Sequence, residues 1–268
     1  MPISPGTHLL YTVHQGDTLS SIANQLGTNV QALIQSNALY PPVADPNRIF
    51  PGQVLLARLP GMAEQSSVLY QVQPGDTLYS IAGRFSLSVD MLAGLNDIQQ
   101  QDIIRVAQLL NVASFVYEVV QGDTLYRISR RFGVSMNELL QANRNRTGLS
   151  PDVIYHGFHL VIPLPSSANI VVYQPYPGTR VASGQHLTGS ARAFEATINY
   201  QIRDAMERIV THERAATASQ GAPAFGLFDV QLTFDQSPST QTGILMVYTR
   251  SAKDGSIQDL VEVPIIFY

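Results

Sequence analysis

The chain of 268 residues contains no cysteine. This absence excludes disulfide bonds, thiolate metal sites and a cysteine nucleophile, and it leaves the redox compartment open. Basic residues are not in excess either, because the chain has 16 Lys and Arg against 20 Asp and Glu, which gives a net charge of −4. Since phosphate backbones demand a basic surface, we do not expect nucleic acid as a partner.

Long apolar runs are also missing. No stretch approaches the roughly 18 apolar residues of a membrane-crossing helix, so the sequence predicts no membrane span. The first ten residues, MPISPGTHLL, show neither the basic segment nor the apolar segment of a secretory leader. We therefore expect either synthesis without a Sec signal or earlier removal of a leader.

One string of residues is present three times. The copies read QGDTLSSIANQL, PGDTLYSIAGRF and QGDTLYRISRRF, and their glycines are Gly16, Gly75 and Gly122. The intervals between these glycines are 59 and 47 residues, yet an asparagine follows each glycine after 21 residues: Asn37, Asn96 and Asn143. A spacing that is fixed inside each copy and variable between copies predicts three structural modules.

Each copy predicts a β-α-α-β unit. A β-prone segment precedes each glycine, at 11–13, 70–72 and 117–119, and the apolar spacing after it is that of one helix face. Second helices are predicted after the N-caps Asn29, Ser88 and Ser135. Second strands are predicted near 54–56, 108–110 and 160–162. The two strands of each copy should pair in antiparallel fashion beneath the helices.

Several residues of the repeated string have two interpretations. The Asp-Thr pair lies where a helix N-cap needs a side-chain oxygen, and it could equally be a ligand for a bound molecule. The leucine after it is expected in the core first. Each glycine serves either a tight turn or the close approach of a ligand to the backbone. Tyr79 and Tyr126 are either ordinary surface residues or stacking partners.

These features resemble LysM, a module that binds N-acetylglucosamine-containing glycans such as peptidoglycan and chitin. The resemblance rests on the strand, the Gly-Asp-Thr-Leu string, the capped second helix, the fixed asparagine and the closing Pro-Gly-Gln-x-Leu at 51–55. It covers about residues 10–164 and implies modules at 10–57, 69–112 and 116–164.

The resemblance also implies where the glycan would bind. In that family the sugar lies in a shallow groove between the loop after the first strand and the loop before the last strand. Carried over, the groove residues are Gly16, Asp17, Thr18, Leu19, Asn37, Ile49 and Pro51 in copy one; Gly75, Asp76, Thr77, Leu78, Asn96 and Ile104 in copy two; and Gly122, Asp123, Thr124, Leu125, Asn143 and Tyr155 in copy three.

The loop before the last strand departs from the family pattern. Copy one has a long, proline-rich loop at 39–50, and copies two and three have Val106-Ala107-Gln108 and His156-Gly157-Phe158 where Pro-Gly-Gln is expected. These replacements predict lost or altered binding in copy two at least.

After residue 165 the apolar period changes from 3.6 to 2. Phe194, Ala196, Ile198, Tyr200 and Ile202 alternate with polar residues, and about seven strands predict an antiparallel β-sandwich at 168–268. The stretches at 175–178 and 187–196, Phe225 and the Asp254-Gly255 turn resemble the immunoglobulin-like domain of bacterial spore-germination proteins. The expected fold class is thus multidomain, three α+β repeats followed by an all-β sandwich.

Catalytic and metal sites are not predicted. His212-Glu213 lacks the second histidine of a zinc hydrolase, and no Gly-x-Ser-x-Gly elbow is present. His156 and His159 would point to opposite faces of a strand. We therefore expect a protein that is not an enzyme and has no metal or cofactor.

The expected function is binding of peptidoglycan or a related N-acetylglucosamine polymer by the three modules. A spore-envelope protein is the expected partner of the sandwich. The resemblance to germination domains implies a location in the cell wall or spore envelope, after synthesis in the mother-cell cytoplasm. The alternative is a structural coat or assembly scaffold whose LysM folds serve protein contacts.

Overall fold

The structure, a computed structural model, describes residues 1–41, 44–45, 48–61, 65–99 and 103–268. Part of the proline-rich loop of copy one, at 42–43 and 46–47, lies outside the described residues. The chain divides into two compact units. The first comprises Met1–Ser86, Gln100–Arg130 and Val134–Pro163, and the second comprises Leu87–Gln99, Arg131–Gly133 and Leu164–Tyr268.

The repeat region contains the predicted β-α-α-β order in every copy. Its elements are β1 (Thr7–Thr12), α1 (Leu19–Leu26), α2 (Val30–Ser36), β2 (Val54–Arg58), β3 (Ser67–Gln71), α3 (Leu78–Arg84), α4 (Val89–Gly94), β4 (Leu109–Asn111), β5 (Ser114–Glu118), α5 (Leu125–Phe132), α6 (Met136–Ala142) and β6 (His159–Pro163). The first strand of each copy begins earlier than its β-prone string predicted and ends before the final valine of that string.

The predicted helix ends are confirmed. Asn29 Oδ1 accepts from the Ala32 amide at 2.8 Å, so it is the N-cap of α2 as expected. Gly27 ends α1 in the left-handed conformation with φ 66°. Ser86, which departs from the glycine pattern, adopts the same left-handed region with φ 58°. The backbone conformation is therefore kept in copy two although the residue that favours it is absent.

Copies one and two share one sheet. Its strand order is β2-β1-β3-β4, with β1 and β3 parallel and the outer strands antiparallel to their neighbours. Copy three has its own two-stranded antiparallel sheet, β5-β6. Antiparallel pairing inside each copy was predicted, whereas the parallel joint between copies one and two was not.

Copy three is attached through a buried arginine. Arg146 is 5% exposed, and its guanidinium donates to Oδ1 of Asn143 at 3.0 Å and to Oδ1 of Asn37, in copy one, at 3.1 Å. The guanidinium carbon also lies 4.3 Å from the centroid of the Phe158 ring. Burial lowers the pKa of Arg146 to about 9. Four neutral oxygens and an aromatic face thus solvate this cation.

The second unit contains eight strands in two sheets. They are β7 (Ile170–Gln174), β8 (Thr179–Val181), β9 (His186–Ala191), β10 (Thr197–Asp204), β11 (Ile209–Thr217), β12 (Gly226–Gln231), β13 (Thr242–Arg250) and β14 (Ile257–Phe267). The sheet orders are β11-β10-β13-β14-β8 and β12-β9-β7, and among the pairs of these eight strands only β14-β8 is parallel. Their inward residues form one apolar core, as alternation predicted.

One part of the strand prediction is wrong. Phe194 and Ala196 were expected to alternate inward with Ile198, but Phe194–Ala196 forms a 3-10 turn and the Phe194 ring is 72% exposed. Glu195 and Ala196 have φ of 52° and 57°, a left-handed conformation that ends the alternation. The strand therefore begins at Thr197, and Phe194 lies outside the core.

The second unit also includes α4 of copy two. Arg192 Nη1 lies 3.0 Å from Oδ2 of Asp90, and the Ser88 hydroxyl donates to the carbonyl of Ala168 at 3.0 Å. A β-carbon on Gly94 would lie 2.1 Å from the Phe225 ring, so the close packing of α4 at this point requires glycine. This helix is thus anchored by an ion pair, a hydrogen bond and an aromatic contact.

Candidate functional site: the glycine turns and their facing loops

Each copy contains a glycine turn between its first strand and first helix. We call these turns the first loops, residues 14–18, 73–77 and 120–124. Gly16, Gly75 and Gly122 have φ of 89°, 87° and 85°, and a β-carbon built on any of them would have no neighbour within 4 Å. The glycine is therefore required by the backbone conformation, and the space in front of it is open.

A tyrosine locks each turn through the aspartate. Asp76 Oδ2 accepts from the Tyr70 hydroxyl at 2.6 Å and from the Gln73 amide at 2.8 Å. The corresponding hydroxyl bonds are Tyr11 to Asp17 at 2.9 Å and Tyr117 to Asp123 at 2.6 Å. Burial, and then the bond to the carboxylate, raises the pKa of Tyr11 and of Tyr70 to about 12. The aspartates thus hold the turns closed.

This tyrosine role was missed by sequence reasoning. A signal was available, because each tyrosine precedes its aspartate by six residues in all three copies. A phenol at the end of a strand can reach back to the carboxylate of the turn that follows it.

The threonine of the string is the N-cap of the first helix. Thr18 Oγ1 accepts from the Ser21 amide at 3.0 Å, and Ser21 Oγ accepts from the Thr18 amide at 2.9 Å, which together form a capping box. Thr77 makes the same pair with Ser80. Leu19, at 8% exposure, and its two counterparts are buried. The structure therefore assigns Thr and Leu of the string to folding, with the threonine still exposed at its outer side.

A second loop faces each turn. We call residues 49–53, 104–108 and 154–158 the second loops. In copy one the Gly52 amide donates to the Val13 carbonyl at 2.8 Å, and the Val13 amide donates to the Gln53 carbonyl at 2.8 Å. The same two bonds join Ala107 and Gln108 to Val72, and Gly157 and Phe158 to Val119. Each first loop is thus fixed beside its second loop.

The sequence departures in the second loops do not change this geometry. Ala107 takes the place of Gly52 and adopts φ 68°, against 86° for the glycine. Gln108 Oε1 accepts from the Arg105 amide at 2.9 Å, as Gln53 Oε1 accepts from the Phe50 amide at 3.0 Å. The second loop of copy two therefore keeps its backbone geometry, and lost or altered binding in that copy stays a prediction.

The hydrogen bonds align a different residue of copy three with Ile49 and Ile104 than the sequence prediction did. Ile49 and Ile104 lie four residues before Gln53 and Gln108, whose carbonyls accept the hydrogen bond from the valine before the first loop. In copy three the accepting residue is Phe158, and the residue four places before it is Ile154. Tyr155 corresponds to Phe50 and Arg105 instead. Ile49, Ile104, Ile154 and Tyr155 are all half-buried. Sequence reasoning named Ile49 and Ile104 but overlooked Ile154, their equivalent in copy three.

Two of the three predicted asparagines lie behind the groove. Asn37 is 3% exposed, and its side chain donates to the Leu56 carbonyl at 2.8 Å and accepts from the Leu56 amide at 2.7 Å. Asn143, 1% exposed, makes the same pair with Val161. Asn96 is half-buried and donates to the Leu92 carbonyl at 2.8 Å. The buried amides of Asn37 and Asn143 join their second helices to the last strands.

Exposed apolar side chains lie on the second loops and the first helices. Phe50 is 57% exposed and Val106 is 61% exposed, and Pro51 beside Phe50 is exposed as well. Tyr79 and Tyr126, 80% and 66% exposed, follow Gly75 and Gly122 by four residues. Apolar surface next to exposed backbone suits a ligand with both C–H faces and polar substituents.

Within the described residues, no helix is both long and apolar enough to cross a bilayer. Nor do three His, Asp or Glu side chains of those residues lie together in a possible metal site.

Comparison with known families agrees with this geometry. The LysM domain matches residues 11–57, 70–113 and 117–163, about half of the chain. The chain belongs to the LysM family. The immunoglobulin-like domain of bacterial spore germination, Gmad2, matches residues 169–256. Both are binding domains. Copies one to three are modules 1 to 3 from here on.

Individual relatives of this LysM protein share only part of its length. An endolysin of Bacillus phage B103 is 34% identical over 32% of this chain and 31% of its own length. A probable autolysin of Staphylococcus aureus, SsaALP, is 34% identical over 33% of this chain and 35% of its own. The matches to such enzymes lie over the LysM region. The chain therefore spans about a third of the length of these relatives.

A solved structure is similar over part of the LysM protein. The Bacillus cereus spore cortex-lytic enzyme SleL is 29% identical over 39% of this chain and 22% of that chain. The TM-score of this match is 0.29.

Proposed function

We propose that the protein binds N-acetylglucosamine-containing glycan, the peptidoglycan strand in particular, without catalysing its cleavage. The observation that carries the proposal is the open, positive-φ glycine at the centre of each first loop. The backbone of Gly16, Gly75 and Gly122 can be approached closely because no side chain covers it. The amide groups exposed there suit the acetamido and hydroxyl groups of such a sugar.

The second loops supply the other half of each proposed groove. Ile49, Ile104 and Ile154 are half-buried at equivalent places, and Phe50 and Val106 present further apolar surface. The C–H faces of pyranose rings pack on such surfaces, whereas the buried Asn37 and Asn143 amides hold the walls in place. All three modules keep the loop geometry, so we propose binding in all three.

We propose that the sandwich is thereby tethered to the cell wall or spore envelope. The match of residues 169–256 to a domain of bacterial spore germination supports this setting. The proposal includes synthesis in the mother-cell cytoplasm and a spore-envelope protein as partner of the sandwich.

The test is co-sedimentation of the intact chain with purified peptidoglycan sacculi and with insoluble chitin. A triple Gly16→Trp, Gly75→Trp, Gly122→Trp variant should stay in the supernatant, because indole rings fill the open space. A variant with Gly184→Trp and Gly255→Trp is the matched control, since these sandwich glycines also have positive φ and no neighbour within 4 Å of a built β-carbon. It should sediment like the wild type.

Folding of both variants is checked by circular dichroism and melting temperature. The proposal is overturned if the wild type remains in the supernatant, or if the triple Trp variant sediments as strongly as the sandwich control.

A structural scaffold is the second candidate. The observation that favours it is the exposure of Phe50 and Val106 on the second loops, because apolar loop surfaces also suit protein contacts. Under this alternative, the Gly→Trp variants would leave polymer binding unchanged, and Phe50→Ser with Val106→Ser would release a spore-coat protein instead.

A further inference from the structure

The parallel joint between β1 and β3 places two glycine turns at one edge of the shared sheet. Gly16 follows the end of β1 by four residues, and Gly75 follows the end of β3 by four residues. Because the two strands are parallel neighbours, both turns leave the sheet at the same end. The antiparallel outer strands β2 and β4 begin at that end, so their second loops lie there too.

The order of loops along this edge follows from the strand order β2-β1-β3-β4. The second loop of module 1 comes first, then its glycine turn, then the glycine turn of module 2, and finally the second loop of module 2. Each groove is the space between one turn and its own second loop. The two grooves are therefore side by side, with both glycine turns between them.

The two modules lie on opposite faces of the shared sheet. Equivalent residues of modules 1 and 2 are 59 apart, as Tyr11 and Tyr70 are, but the register pairs residues 60 apart, as in Leu10 and Tyr70. Because neighbouring residues of a strand point to opposite faces, this difference of one residue turns Tyr70 away from the face of Tyr11.

Packing around the sheet agrees with the register. Tyr11 belongs to the apolar core of α1 and α2, and Leu69 of β3 packs against that same core. Tyr70, the next residue, packs on the other side against Phe85 after α3, with ring centroids 5.8 Å apart. The first helices of modules 1 and 2 thus cover opposite faces.

Modules 1 and 2 are consequently related by an approximate two-fold axis that runs along the strands between β1 and β3. A ligand held between two loops at the end of a sheet lies across the strand direction. Rotation by 180° about the strand direction reverses any such ligand. A glycan strand has two different ends, so equivalent binding in the two grooves requires strands of opposite direction.

We propose that modules 1 and 2 bridge two separate, antiparallel glycan strands. One stiff glycan strand cannot pass through both grooves, because the grooves are side by side and would bind the strand in opposite directions. Module 3 has its own sheet and is not part of this pair. The inference rests on the proposed function and adds to it that the shared sheet cross-links strands.

The test uses the full chain with Gly122→Trp, which silences module 3, and isothermal titration with chitotetraose and chitooctaose. We expect two molecules of either oligomer per chain, with equal affinity per site. A further Gly16→Trp or Gly75→Trp should each leave one molecule per chain, while Gly255→Trp, at an equally open positive-φ glycine of the sandwich, should leave two.

Light scattering with long soluble glycan strands gives the second readout. The Gly122→Trp chain should enlarge the particles, and loss of either remaining groove should abolish this effect while one oligomer still binds. Binding of one octamer per chain, about a hundredfold tighter than the tetramer, would mean that one strand spans both grooves and would overturn the proposal.

Two other outcomes are distinguishable. One molecule per chain for both lengths, at equal affinity, means that a single groove works, which overturns bridging and leaves the proposed function intact. No binding of either oligomer to the folded wild-type chain or to its Gly122→Trp variant counts against both.

Discussion

Modules 1 and 2 are joined to each other by a ladder of main-chain hydrogen bonds, whereas module 3 is joined to them mostly through side chains, with one main-chain bond from the Val54 amide to the Asn145 carbonyl at 2.8 Å. The first joint is the β1-β3 ladder, whose hydrogen bonds do not titrate. The second depends on Arg146, on Arg84 donating to the Ala142 and Arg144 carbonyls, and on the Ser66 hydroxyl accepting from the Val116 amide at 2.9 Å. Modules of similar sequence are thus joined by different kinds of contact. The joint that depends on side chains should be the one that a single substitution or acid can weaken.

The largest effect is expected from Arg146→Leu. The change removes the donors for the carbonyls of Ser36 and His159 and the cation over Phe158. We expect the first unit to lose about 3 kcal/mol of unfolding free energy, because buried acceptors lose their partner. Urea denaturation measures it. Arg130→Leu, at an exposed position, is the matched control and should cost little. Equal midpoints for the two variants would contradict the proposed joint.

Acid should weaken the same joint through His8. This residue is 1% exposed, and burial, then the nearby His159, lowers its pKa to about 4. Arg58 also faces it and acts in the same direction. Because the folded pKa lies below the unfolded value of 6.5, stability is present above pH 6.5 and is lost as pH falls towards 4.

The loss between pH 7 and pH 4.5 should be about 2 kcal/mol for the wild type. In His8→Phe this part of the pH dependence should disappear, while the carboxylates still titrate. Urea midpoints at the two pH values measure the difference. Parallel pH profiles for the two proteins would show that His8 is not responsible.

A smaller effect should follow from Tyr70→Phe, which tests the lock that all three turns share. The variant loses the 2.6 Å bond to Asp76, so we expect a loss of about 1 kcal/mol. Tyr79→Phe, at an 80% exposed position, is the control and should leave stability unchanged. Thermal unfolding compares them. Equal melting temperatures would mean that the hydroxyl bond does not hold the turn.

The smallest effect should be a gain. Gly83 lies inside α3, a β-carbon there would have no neighbour within 4 Å, and the equivalent residues in modules 1 and 3 are Asn24 and Arg130. Gly83→Ala should stabilise the first unit by up to about 1 kcal/mol, because alanine loses less backbone entropy in a helix. Thermal unfolding would show this gain, and a lower melting temperature would indicate an unrecognised need for glycine.

Local features were predictable from the sequence because they depend on neighbouring residues. The N-cap at Asn29 and the left-handed Gly27 follow from helix chemistry inside one copy. Thr18 was correctly placed at a helix start, and its capping box with Ser21 shows why.

Non-local features were not predictable. The register that pairs Leu10 with Tyr70 depends on contacts between copies, and no single copy encodes it. The burial of Asn37 depends on Leu56 and on Arg146, which lies in another module. Phe194 was predicted to point inward, but the left-handed backbone of Glu195 and Ala196 interrupts the alternation. Such effects require the folded chain.

We propose above that glycan binds at the open glycine turns. A titration of the isotope-labelled full chain with chitotetraose, followed by amide NMR, tests this directly. We expect the Gly16, Gly75 and Gly122 signals to shift first, together with those of the second loops, while the sandwich signals stay in place. Shifts confined to residues 168–268, or none at saturating oligomer, would contradict it.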